Sequence, residues 1–415
     1  MLYEAFRDHL KKEDWNAAED SIFLMRQQFY PQSLISASEH LLQVSIATGS
    51  LCSQSGYSAD TLSAVERQQV ILCGASLLGP PLALFYHRLF LNLEHSAIQG
   101  KLFFLAREGF FLLDGFNQLK ANLNLDGLEG AYINISRVLL FRCLLDSPEA
   151  VPLICHHDYN GTVYSFLKSR CGLHDKEIKM LSLPDHLSTS DFNKPLSLPH
   201  DLQDITSLLR LNRHLIAEII QPTKAAYLGY LRDNDFFHAD VAHVVDVGYS
   251  GTIQKALSLL TGQDIVGHYL ITTKAAQSVG RNLFNGYVHA GISWGDGYGL
   301  LDKSLYLESL LTAPNGSTTG VNSVDEGYVF EYGRSTRAQH CFGVLELAFA
   351  GCLDYCSKNI LAGTLMTPSE IDQNYLIQTS HPAYYPDALR YALELEDDFS
   401  GIGTINPYRT YAKQS

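Results

Sequence analysis

From about residue 100 the chain repeats one pattern: a short apolar run, a polar turn, then apolar residues three and four apart. Uninterrupted apolar runs suit strands buried on both faces, and the three-four spacing marks the inner face of a helix. In KLFFLAREGFFLLDGFNQL the pattern predicts a strand over 101–106, a turn at Arg107, Glu108 and Gly109, and a helix from Phe110 to about Lys120. In AYINISRVLLFRCLL it predicts a strand ending at Ile135 with Ser136 and Arg137 at its tip. In HVVDVGYSGTIQKALSLL a strand over 243–247 carries Asp246, and Gly248, Tyr249, Ser250 and Gly251 form the turn. The helix that follows buries Ile253, Ala256, Leu257 and Leu260, with Thr252 or Ser250 as its N-cap. Further strands are predicted at 266–272 and 287–292.

Strands alternating with helices predict an α/β fold, a mostly parallel central sheet with flanking helices of Rossmann-like type. Ligands in such sheets sit beyond the carboxyl ends of the strands, so the polar tips should share one edge. Around this core the sequence divides into five parts. Residues 1–98 form an N-terminal helical region, with helices to about 29 and over 33–48, a Ser/Gly-rich break at 49–58, and a helix after GPP whose face is Leu82, Phe85, Leu89 and Leu93, ending near Gly100. Residues 99–146 and 241–320 are the two parts of the α/β core. Between them, 147–240 is a mainly helical insertion with a proline-rich loop at 181–201, placed to cover the site. Residues 321–415 form a C-terminal helical extension containing an apolar helix at about 342–360, stopped by Gly363.

A formal charge of -14 with no Lys/Arg cluster argues against nucleic acid and against an anionic membrane as partners. Any phosphate site is therefore local. No signal-peptide pattern opens the chain, and the apolar stretch 77–93 is broken by prolines, His87, Arg88 and Asn92, so no membrane insertion is expected. The eight cysteines are scattered without CxxC or zinc spacing, which suits reduced thiols and a cytoplasmic location.

The chemistry gathers at the turns. Arg107 and Arg137 offer bidentate donors for phosphate or diphosphate, and residues 248–252 present free backbone N–H groups at a helix start for a second phosphate. Gly109 and Ser136 belong to the same ligand-binding set. Asp246 is a candidate for a sugar hydroxyl or Mg²⁺, and Glu108 and Glu308 are candidate acids or bases. Each has a plainer alternative: strand-to-helix turns often bind nothing, Arg107 can pair structurally with Glu108 or Asp246, and Glu308 can be a solvated helix residue. A Ser–His–Asp triad has no GxSxG elbow to support it.

In order along the chain, GPPLALFYHRL, GKLFFLAREGFFL, YINISR, VVDVGYSGTIQKAL and LESLLTAPNGS resemble the C-terminal module of bacterial predicted haloacid-dehalogenase-type (HAD) hydrolases associated with surface-polysaccharide genes. The likeness spans about residues 77–320. In that family a phosphatase domain with a DxDxT strand precedes the module. This chain has no such strand, Asp233-Asn234-Asp235 being the nearest match. More loosely, LFFLAREG and VVDVGYSGT resemble the diphosphate turn and the 5-phosphate loop of type I phosphoribosyltransferases, with Val245 in place of one of the usual paired acids. The resemblances imply a phosphoribosyltransferase-like sheet and a protein that binds and transforms a phosphorylated sugar or nucleotide-like ligand, by phosphoribosyl or glycosyl transfer. The alternatives are a phosphoester hydrolase of the HAD-associated type and a non-catalytic docking module in polysaccharide synthesis, with a HAD-type phosphatase or a glycosyltransferase as the implied partner.

Overall fold

The computed structural model describes residues 2–12, 21, 57–96, 100–122, 127–156, 158–184, 192–278, 280, 282–380, 385–400 and 402–412. Five strands form one parallel sheet: β1 (Gly100–Leu105), β2 (Leu128–Ile133), β3 (Val241–Asp246), β4 (Asp264–Thr273) and β5 (Leu283–Ile292), in the order β2-β1-β3-β4-β5. The α/β fold with a parallel central sheet and flanking helices is thus as the apolar runs predict. Alternate residues serve two separate cores. Phe103, Leu105, Ala242 and Val244 pack with helices Arg137–Leu144, Leu202–Leu211, Arg213–Asp233 and Thr252–Thr261. Leu102, Phe104, Val245 and Val247 face the opposite way, onto helices Ala64–Leu77, Gly79–His95, Gly109–Asn122 and Phe342–Ala362. Covering both faces removes the alternation of a half-exposed strand, which is why these strands read as solid apolar runs.

The flanking regions depart from expectation in detail. The helix after GPP ends at His95, short of Gly100. The N-terminal helix Leu2–Lys11 is present, whereas the helices expected at 33–48 and most of the break after them lie outside the described residues. The insertion is mostly helical, but the expected loop at 181–201 contains Pro195–Leu198, which pairs antiparallel with Tyr159–Thr162. Pro195 is tolerated because it opens a strand in a two-stranded ribbon. Two more hairpins, Thr318–Val324 with Gly327–Tyr332 and Leu395–Asp397 with Gly403–Ile405, interrupt the helical character expected of the tail. The first closes on a two-residue turn, and neither carries an apolar period long enough to mark it.

No single described helix is long and apolar enough to cross a membrane. Helices Ala64–Leu77 and Gly79–His95 pass such a test together, bent by 49°, yet Leu77, Leu82, Phe85 and Leu89 are at most 1% exposed within the fold.

Helices Ala64–Leu77 and Phe342–Ala362 cross so closely that a Cβ on Gly74 would lie 1.8 Å from the Ala348 carbonyl oxygen, and one on Gly351 would lie 2.0 Å from that of Ile71. Helix propensity alone would make Gly351→Ala stabilising by about 1 kcal/mol. The crossing reverses the sign, and we expect a net loss of roughly 1–3 kcal/mol by urea unfolding. A gain in stability would show that the helices do not meet at these glycines.

Candidate functional site

The strand order reverses between β1 and β3: β1 leads outward to β2, and β3 leads the other way to β4 and β5. Helices diverge at such a point and leave a crevice beyond the strand ends. A cavity of about 560 Å³ opens there. Arg107 and Glu108 enter it from the end of β1, Ser136 and Arg137 from beyond β2, and Asp246, Gly248, Tyr249, Ser250, Gly251 and Thr252 from β3 and its turn. Glu308 reaches it from helix Ser304–Leu310. Gly109 does not line it. It starts helix Gly109–Asn122, where a Cβ would fall 2.7 Å from the Phe104 carbonyl carbon, so its role is to let the helix pack on β1.

The turn after β3 has a different construction from the one its sequence suggests. Neither Ser250 nor Thr252 caps the helix. The N-cap is Gly251, left-handed at φ 66°, and Thr252 is the first helical residue. The first N–H groups of any helix lack intrahelical acceptors, and Gly251, Thr252 and Ile253, which line the cavity, bring this helix start to its wall. Gly248, at φ 139°, would place a Cβ 2.1 Å from the Ile271 carbonyl oxygen, and Gly251 would place one 2.1 Å from the Phe284 ring. Both glycines are thus demanded by packing as well as by backbone conformation. A larger residue at 251 therefore disturbs the turn before it meets a ligand. The peptide bonds Ala106–Arg107 and Gly248–Tyr249, one at each tip, are cis.

Arg107 faces Glu396 at 3.7 Å, not Glu108 or Asp246. The Glu108 carboxylate instead accepts the Arg107 backbone N–H at 3.2 Å. Arg137 lies 4.1 Å above the Phe399 ring, and burial lowers its affinity for its proton while Asp397 and Glu308 act to retain it. Ser136 is committed to structure: its hydroxyl donates to the Thr318 carbonyl and accepts from Leu139 N–H at 3.0 Å as the helix N-cap. Asp246 is buried with one oxygen accepting the Val247 N–H at 2.7 Å. Burial first, and then Glu108 and Glu308, hold its carboxyl well above the usual range. Glu308 is raised to about 7, by burial and next by Glu108, against the pull of Arg107 and Arg137. Beside it lies the buried Tyr249 hydroxyl, which interacts with Glu308, helping to lower its proton affinity, and with Ser304, outside strict hydrogen-bond geometry. Glu308 is therefore no solvated helix residue.

Sequence reasoning missed the far wall. Trp294 and Asp302 line the cavity, as do Glu396, Asp397, Phe399 and Tyr411 from the tail. Among its described residues the insertion 147–240, expected as a cover, contributes none to this lining. The only signal was LELEDDFSG, a dense acid run ending in an aromatic, which has no periodicity to place it. No histidine lines the cavity, and no group of three His, Cys, Asp or Glu side chains among the described residues is arranged to hold a metal ion.

No family model matches the chain, and no curated protein matches it. Function must be argued from the site itself.

The raised Glu308 has a consequence for stability. Its protonated form is favoured by folding, so its contribution is fully present below about pH 4.5 and is lost as pH rises through about 7. The span corresponds to about 3 kcal/mol. Urea unfolding at a series of pH values should show this loss in the wild type relative to Glu308→Gln, and parallel pH profiles for the two proteins would refute the assignment.

Proposed function

We propose that the protein binds and transforms a phosphorylated sugar or nucleotide-like ligand, by phosphoribosyl or glycosyl transfer. The observation that carries this is the convergence of Arg107 and Arg137, from two different strand tips, on the cavity that also holds the start of helix Thr252–Thr261 and the acid Glu308. Two guanidinium groups suit a phosphate or diphosphate leaving group, because they form paired charge-assisted bonds that strengthen as negative charge develops. The turn 248–252 takes a second phosphate through its backbone N–H groups. Asp246 addresses a sugar hydroxyl. Glu308, poised near neutral pH, is suited to give or take the proton that accompanies cleavage of the bond between the sugar carbon and the leaving oxygen.

Mg²⁺ would enter only with the ligand, since it must draw Asp246, one of whose oxygens accepts the Val247 N–H, into its ionised form. With no three-residue metal group among the described residues, the ion would rest on Asp246, with phosphate oxygens and water completing its shell, which is how Mg²⁺ is commonly held. Polar groups converging inside a cavity favour ligand chemistry over a docking module, which would instead present an exposed apolar patch.

Inorganic pyrophosphate is the direct probe. In calorimetry with and without Mg²⁺, Arg107→Ala should weaken binding by roughly one to two orders of magnitude, the effect of losing a charge-assisted hydrogen bond. Glu308→Gln should bind it within a few-fold of wild type, since its role lies in proton transfer. Unchanged affinity in folded Arg107→Ala would remove the phosphate site.

A further inference from the structure

A second cavity, of about 890 Å³, lies beside the first and shares Val138, Ser317 and Glu396 with it. Glu396 is the one titratable residue in both linings. Its carboxylate faces Arg107 on one side and accepts the Ser317 hydroxyl at 2.6 Å. A ligand in either cavity therefore ends at the same carboxylate.

The first cavity sets Arg107 and Arg137 against Glu108, Asp246, Asp302, Glu308, Glu396 and Asp397, so any anion there depends on local contact with the two guanidinium groups and not on the net field. In the second, Lys168, Lys176 and Arg334 stand against Asp175, Asp398 and Glu396, so the formal charges cancel. Lys168 already pairs with Asp175 at 2.7 Å, and Arg334 with Asp398 at 3.3 Å. Lys176 has no such pair among the described residues, and Glu396 is shared with Arg107, so the lining carries no concentrated charge of either sign. What the lining offers is a density of alternating donors and acceptors with the Tyr164 side chain among them. One of these groups lacks a partner: the Ser169 hydroxyl oxygen is buried without a hydrogen bond. Buried polar atoms are seldom left unpaired, and a ligand hydroxyl that reached beneath the lining would satisfy this one.

We infer that this second cavity is the acceptor subsite of a transferase, and that it takes a neutral polyhydroxylated molecule such as a pyranoside. The inference rests on the phosphate-binding function proposed above for the first cavity. The acceptor hydroxyl would meet the phosphorylated donor at Glu396, where the cavities join. Thr319 is well placed for a test, because it lies at the irregularity in the Thr318–Val324 hairpin and lines only the second cavity.

The experiment is saturation-transfer NMR on the full chain with methyl glucoside, methyl galactoside and N-acetylglucosamine, each with and without saturating pyrophosphate. At least one pyranoside should bind, should stay bound when pyrophosphate is present, and should weaken at least tenfold in Thr319→Trp, which fills the second cavity. Ser169→Ala, a smaller change that keeps the fold, should weaken it in the same direction. Absence of binding by all three pyranosides overturns the inference, as does a signal that pyrophosphate abolishes and both variants leave intact. Pyrophosphate binding is read in the same samples, so its failure would count against the first cavity separately.

Discussion

A sheet buried on both faces leaves a chain one kind of place to meet a ligand. Over the carboxyl-terminal parts of β1 and β3, from Leu102 to Leu105 and from Val244 to Asp246, successive side chains are buried and do not serve solvent. Only the strand ends are free. Where β1 and β3 lie side by side their onward connections run in opposite directions, so nothing packs over the seam and a crevice results. The polar residues of the site are those the chain meets on leaving that seam: Arg107 from one strand, Asp246 and the glycine turn from its neighbour.

The crevice then sets a problem of charge. Arg137 is drawn into it and partly desolvated, and a buried guanidinium needs either carboxylates or an aromatic face. The tail supplies both. Asp397 favours the charged form of Arg137, and Phe399 stacks on it, while the same ring lies 4.5 Å from the fully buried Arg170. Arg170 also donates to the Phe399 carbonyl at 3.3 Å. Phe399 is thus held between two cations, and this fixes the hairpin that brings Glu396 against Arg107. A residue near the end of the chain completes a site that begins near residue 107 because burial of the arginines requires it.

That dependence explains how far the sequence could be read. Apolar runs such as LFFL and HVV are decided locally by burial on two faces, so β1 and β3, and with them the tips, were legible. All the candidate site residues except Gly109 line the cavity, because a residue following a strand in a parallel sheet has nowhere else to go. Gly109 was misassigned because a glycine required for helix packing and one required by a ligand look alike in sequence. Ser250 and Thr252 were misjudged as caps for a related reason: either hydroxyl can cap, but the left-handed backbone at Gly251 moves the helix start between them. Glu396 and Phe399 were illegible because their placement depends on contacts with Arg107, Arg137 and Arg170, separated from them by hundreds of residues. The short hairpins share that fate, being too brief to carry a period.

The balance at Glu308 links the resting site to its chemistry. Burial and Glu108 push its proton affinity up, and Arg107 and Arg137 pull it down, with the outcome near 7. A phosphate that engages the two arginines cancels the terms that favour the carboxylate and leaves those that favour the acid. Binding of the anion therefore drives Glu308 toward its protonated form at neutral pH. On the function proposed above, the group would then be a proton donor while a phosphorylated ligand is in place. After the anion departs, the arginines again favour the carboxylate, and the acid is returned to the state from which it can accept a proton. On that same proposal, the two arginines that hold the ligand would also set the protonation of the residue that acts on it, through an exchange of countercharges.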